Sequence, residues 1–108
     1  MAVKHVSADD FEELITQQKN VWIIDVREPS EFKQGYIKGA KLMPSTRFTE
    51  ELEKSKIKKT DKLALYCRSG SRSYFLAEQL EQLGYKNVFN LEMGTVEWLE
   101  YGKKLVKK

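Results

Sequence analysis

The residues best suited to chemistry lie at 67–73, where the chain reads Cys-Arg-Ser-Gly-Ser-Arg-Ser. Cys67 closes an apolar run over 62–67 that reads as a buried strand, and a helix is predicted over 71–83. A short turn from strand to helix aims several backbone N–H groups into one concavity, and the helix dipole adds partial positive charge there. Gly70 lets that backbone curve tightly, while Arg68 and Arg72 bring full charges. Such a cradle favours an anion, and Cys67 can supply one as a thiolate, a nucleophile needing no neighbouring base. A lone cysteine at the end of a strand is ordinarily inert. Here the Cys, the Gly, two Arg, Ser69 and Ser71 and a helix start coincide, which argues for a reacting one.

Composition narrows the chemistry further. The chain has 108 residues with one Cys and one His. An internal disulfide and a Cys/His zinc site are therefore excluded, and no metal or cofactor is expected. A Ser-His-Asp or Cys-His mechanism would depend on His5, which sits too near the terminus for a rigid base. Apolar residues make up 41% and charged residues 32%, the balance of a soluble globular domain. No run is long enough to span a membrane, and Met1, Ala2, Val3 and Lys4 lack the apolar stretch of a signal peptide, so a cytoplasmic location is expected. The net charge is +3, with lysines at 54, 56, 58, 59 and 62 and again at 103, 104, 107 and 108. Glu50, Glu51, Glu53 and Asp61 adjoin the first group and no aromatics interleave, so a solvated face and a frayed basic tail over 103–108 are the simpler reading than a nucleic-acid surface.

The elements that must hold the loop follow from periodicity. Ser7 and Asp10 suggest a capped helix start, with Phe11, Leu14 and Ile15 recurring at helical spacing to about Asn20. Residues 21–26 read as a buried strand, and 27–35 as a loop with one helical turn, capped by Ser30 and ended by Gly35. A short strand is expected over 41–43, then a helix capped by Thr46 with Phe48 and Leu52 inward. In the helix over 71–83, Phe75, Leu76, Leu80 and Leu83 form the expected apolar face. A strand over 88–91 and a helix over 95–101, with Val96, Trp98 and Leu99 inward, complete the chain. Strands alternating with helices in one domain over 1–108 imply an α/β fold, a mainly parallel sheet with helices on both faces. In such sheets, sites form at the carboxyl ends of the strands.

Two chemistries suit the cradle. A phosphoryl-transferring cysteine needs an arginine clamp and a loop one residue longer than the four residues between Cys67 and Arg72. The tighter loop suits a smaller adduct, a persulfide, whose terminal sulfur anion the N–H groups would hold. A non-catalytic interaction module is the third possibility.

Four motifs in order resemble the rhodanese-like domain family across nearly the whole chain. They are Asp25-Val26-Arg27-Glu28-Pro29 with Glu31-Phe32, then Gly35-Tyr36-Ile37-Lys38-Gly39-Ala40 with Met43-Pro44, then 67–73, then 94–98. The resemblance implies a three-layer domain with a five-stranded sheet. It also implies a sulfurtransferase in which Cys67 takes sulfane sulfur from a donor such as thiosulfate and passes it to a thiol or a protein acceptor. Backbone amides over 68–72 would hold the persulfide. Many members carry His and Pro where this chain has Tyr36 and Lys38, and some larger members use an arginine for thiosulfate at the position of Glu31. Others carry a lysine where Ser69 stands. A carboxylate at the mouth disfavours a thiosulfate dianion. A small monomer is the expected state.

The supporting residues carry simpler readings. Asp25 fits two roles, a buried acid near Cys67 or a partner for backbone or arginine, and the second is simpler because a buried charge needs a partner. Arg27 and Glu28 read the same way. Arg72 is expected to pair with Glu28 behind the loop, and Arg68 to attract anionic donors at the mouth. Met93 and Gly94 follow a strand and border the pocket. Trp22 and Trp98 read as core.

Overall fold

A computed structural model describes residues 3–107. Met1, Ala2 and Lys108 lie outside them, so the first two residues of the N-terminal stretch and the last lysine of the terminal group are not placed. Five strands form one sheet: β1 (Val3–Val6), β2 (Val21–Asp25), β3 (Lys41–Leu42), β4 (Lys62–Tyr66) and β5 (Asn87–Leu91). Their order is β1-β5-β4-β2-β3 and every pairing is parallel. The helices between them are α1 (Ala8–Gln17), α2 (Pro29–Lys33), α3 (Phe48–Lys54), α4 (Ser71–Gln82) and α5 (Gly94–Glu100). Among the described residues, no helix is long and apolar enough to cross a membrane.

The side-chain alternation of β4 divides the core in two. Leu63, Leu65 and Cys67 face one layer with Phe48 of α3 and Leu76, Ala77 and Leu80 of α4. Ala64 and Tyr66 face the other with Phe11 and Leu14 of α1 and Trp98 of α5. There Phe11 meets both Tyr66 and Trp98 edge-on, with centroids 6.3 and 6.1 Å away. The α/β architecture with helices on both faces is therefore present, and the sheet is wholly parallel. Since β4 is central, the residue after it opens at the middle of the carboxyl rim.

Several local expectations need correction. The buried stripe of α4 is Ser73, Leu76, Ala77 and Leu80, at the i, i+3, i+4, i+7 spacing of one helical face. Phe75 and Leu83 are exposed, because Ser73 rather than a larger apolar residue faces inward at the first turn. In α5 the inward residues are Thr95 and Trp98, while Val96 and Leu99 face solvent. Glu28 occupies the cap of α2 and Ser30 lies inside its first turn. A 3-10 turn, Ser45–Arg47, precedes α3, so Arg47 rather than Thr46 occupies its cap.

Neither end of the described chain is loose. His5 lies in β1 opposite Asn90, bonds Asn90 and Glu78, and stacks on Tyr74 with centroids 4.4 Å apart. It is held rigidly, contrary to the expectation from its position, because its strand pairs with β5. The segment expected to be a frayed tail is docked over 103–107. Lys103 pairs with Asp9 and Glu12 at 2.9 and 2.8 Å, Leu105 packs on the α1/α5 layer, and Val106 forms an antiparallel bridge with Tyr36. By contrast, Lys54, Lys56, Lys58 and Lys59 are exposed, as a solvated face requires, whereas Lys62 opens β4, half-buried, and donates to Gln18 at 2.6 Å.

Candidate active site

Cys67 is fully buried, and its Sγ lies inside the turn that it begins. The Gly70 N–H donates to that sulfur at 3.1 Å, and the Ser73 hydroxyl lies 3.4 Å away. Burial acts to raise the thiol, but hydrogen bonds from the Ser73 hydroxyl and from the amides of Ser73, Gly70 and Ser69 outweigh it. Cys67 therefore ionises below the ordinary cysteine value. The donors come from the turn's own backbone and the first turn of α4, the arrangement that stabilises a thiolate without a basic side chain.

What holds the turn in this shape is the segment after β5. The Thr95 and Val96 amides of α5 donate to the carbonyls of Cys67 and Arg68 at 3.0 and 3.1 Å. Two carbonyls of the turn are thus bound behind it, leaving N–H groups to face the sulfur. This approach requires two glycines. Gly70 has φ +100°, and a Cβ there would collide with the Glu92 carbonyl group. Gly94 has φ +66°, and a Cβ there would collide with the Arg68 carbonyl and come within 2.7 Å of that of Cys67. Gly94 thus supports the turn from beneath, and exposed Met93 lies beside it.

The first motif builds a buried ion pair next to this turn. Asp25 is fully buried and accepts from the Arg27 backbone N–H at 2.9 Å and from its guanidinium at 2.7–3.1 Å. Arg27 also donates to the Gly35 carbonyl at 2.6 Å. The pairing satisfies both buried charges and ties β2 to the start of the second motif. Asp25 is therefore a structural partner of Arg27. Tyr66 completes the region, its hydroxyl accepting from the Ile37 amide.

Arg72 is placed differently from expectation. Its guanidinium is bound by a carboxylate, as expected, but the partner is Glu31 rather than Glu28. The two side chains meet through two bonds, at 2.9 and 3.1 Å, the fork geometry of a bidentate pair. Hydrogen bonds from Arg72 pull the Glu31 carboxyl down to about 2, so it is ionised at neutral pH. Glu31 also accepts from the Glu28 amide, and Glu28 accepts from the Thr46 hydroxyl. Arg68 and Ser69 are exposed, and no hydrogen bond or ion pair engages the Arg68 side chain among the described residues. Ser71 opens α4 and is likewise exposed. Tyr36 is half-buried, stacked on Phe32 with centroids 4.1 Å apart, and the C-terminal segment bridges to it.

The fold and the turn together define a class: a three-layer α/β domain with one buried cysteine in a turn whose amides face its sulfur, at the carboxyl rim of a parallel sheet. Comparison with known proteins gives the family. Residues 7–101 match the family model of the rhodanese-like domain, and the chain belongs to that family. A mitochondrial protein of Schizosaccharomyces pombe, provisionally named a thiosulfate sulfurtransferase, is 38% identical over 98% of this chain and 84% of its own length. A sulfurtransferase of Allochromatium vinosum is 32% identical over 96% of this chain and 95% of its own. Among solved structures, the polysulfide-sulfur transferase homodimer of Wolinella succinogenes superposes with a TM-score of 0.84 at 26% identity, covering 99% of this chain and 80% of that one. The family relationship supports a rhodanese-type enzyme of sulfur transfer.

Proposed function

We propose that this protein is a sulfurtransferase that carries sulfane sulfur as a persulfide on Cys67. The observation that carries this reading is the Cys67 sulfur itself, buried and met by the Gly70 amide and the Ser73 hydroxyl. With thiosulfate as donor, the Cys67 thiolate attacks the outer sulfur. The S–S bond of the donor breaks, and sulfite leaves with the bonding electron pair. The product anion, Cys67–S–S⁻, is held by N–H groups over 68–72. A cyanide ion, a thiolate or a protein cysteine then attacks the terminal sulfur, and the Cys67 thiolate returns. No step requires a metal or a general base, because both leaving groups depart as anions.

A phosphoryl or arsenate chemistry is less well supported. It needs a guanidinium clamping the oxygens of a tetrahedral group, and Arg72 is committed to Glu31. The deciding experiment is intact mass after thiosulfate and then after cyanide, with Cys67→Ser alongside. The expected result is a gain of one sulfur atom on the wild type alone, removed by cyanide. A mutant that loads as well as the wild type would refute the role of Cys67. Hydrolysis of an aryl phosphate that depends on Cys67 would favour the phosphatase reading.

A further inference from the structure

The Cys67 turn brings two arginines to the site, and they are not equivalent. Arg68 is exposed and unengaged among the described residues. Arg72 is held by both oxygens of Glu31, at 2.9 and 3.1 Å, with each side chain only about a third exposed (34% and 29%). Glu31 is itself fixed, since the oxygen that meets Arg72 Nη1 also accepts the Glu28 amide at 2.9 Å. The pair thus bridges α2 to α4, and its net charge is zero. A donor arriving at Cys67 meets a sulfur faced by N–H dipoles, with Arg72 already neutralised by Glu31 and Arg68 left exposed in the same turn.

Donors differ in what they ask of that field. Thiosulfate brings two negative charges toward a thiolate, and sulfite carries two away. A protonated organic persulfide, R–S–SH, brings none. The Cys67 thiolate attacks its terminal sulfur, the S–S bond breaks, RS⁻ leaves with the electron pair, and Cys67–S–SH remains. The dianionic donor gains most from a second free guanidinium, and the Glu31 carboxylate withholds one by neutralising Arg72.

We infer that Glu31, by locking Arg72, acts as a positioning residue that sets donor selectivity: the site favours a sulfane-sulfur donor of low charge, an organic persulfide, over dianionic thiosulfate. This rests on the persulfide reading of Cys67 given above and names the donor class for the same site.

The test compares kcat/KM for thiosulfate and for an alkyl persulfide with no other ionisable group, generated in situ at mildly acidic pH where R–S–SH persists, in wild type, Glu31→Gln and Glu31→Gln/Arg72→Gln. Glutamine keeps an oxygen for the Glu28 amide and removes the charge that binds Arg72. The wild type is expected to prefer the persulfide by about tenfold or more. In Glu31→Gln the ratio of thiosulfate to persulfide efficiency should rise about tenfold, and the double variant should lose most of that rise. A general loss of fold would lower both efficiencies together and leave the ratio unmoved. A wild type that uses thiosulfate as well as the persulfide overturns the inference without any variant. So does a ratio in Glu31→Gln that stays within about twofold of wild type, or a double variant that keeps the full rise. If neither donor loads sulfur onto Cys67 of the wild type, the persulfide reading fails and this inference fails with it.

Discussion

Removing the Ser73 hydroxyl tests how the protein makes a thiolate without a base. In Ser73→Ala the Gly70 amide still donates to Sγ at 3.1 Å, so one donor to the sulfur is lost and the turn keeps the others. A hydrogen bond to a charged acceptor contributes about 1.5–3 kcal/mol. At 3.4 Å this one is long and belongs at the lower end of that range. Since 1.36 kcal/mol corresponds to one pKa unit, the Cys67 value should rise by about one unit. At a pH below both values, the thiolate fraction then falls about tenfold. Stability should change little, because the Gly70 carbonyl that Ser73 also reaches keeps its bond from the Tyr74 amide at 2.9 Å. The assay is the pH dependence of iodoacetamide alkylation, read beside thermal unfolding. The expected result is a midpoint displaced to higher pH, with reactivity recovered in alkali. An unmoved midpoint would refute the role given to Ser73, and so would a loss that alkali does not restore.

Other outcomes follow from the same contacts. Gly94→Ala must place a Cβ against the Arg68 carbonyl at a positive φ, so thermal and urea unfolding should show a loss of about 2–4 kcal/mol, and mass spectrometry should show impaired sulfur loading. Arg27→Met leaves Asp25 buried without its cation, and urea unfolding should record a loss of about 3–5 kcal/mol. Because the folded value of Glu31 lies below its ordinary 4.5, its pair with Arg72 stabilises fully above about pH 4.5 and that share is lost as pH falls toward about 2. Solvent screening at these partly exposed side chains limits the share to about 1 kcal/mol, and Glu31→Gln should flatten the acid limb of a urea-stability profile by that amount.

The turn was legible because its parts are contiguous: cysteine, glycine and helix start lie within a few residues, and local chemistry alone joins them. What escaped depends on other elements. Ser73 touches the sulfur only because α4 is rotated to bury 73, 76, 77 and 80, a rotation that larger apolar residues at 75 and 83 disguise. Its signal was a small hydroxyl six positions after the cysteine, on the face that α4 turns to the sheet. Arg72 had two carboxylates to choose from, Glu28 at the cap of α2 and Glu31 in its first turn, and spacing gives no preference between them. Lysines concealed the docking of 103–107, which rests on Leu105, Val106 and a Lys103 seated over Trp98. β1 escaped because four residues are too few to show a period and are a strand only when β5 is beside them.

That last pairing bears on how the molecule is made. Strand β1 is synthesised before the other four strands, yet its partner in the sheet is β5, the last of the five to emerge. The nascent chain must carry an unpaired edge, with Val3 and Val6 uncovered, while most of the domain is produced. Its closure joins Val3 to Val88 and Val6 to Leu91 across all three of the other strands, the kind of late, non-local contact that slows folding and exposes a chain to capture by chaperones. A ribosome stalled before position 87 would therefore hold a domain in which β4, the strand that delivers Cys67, still lacks its β5 neighbour.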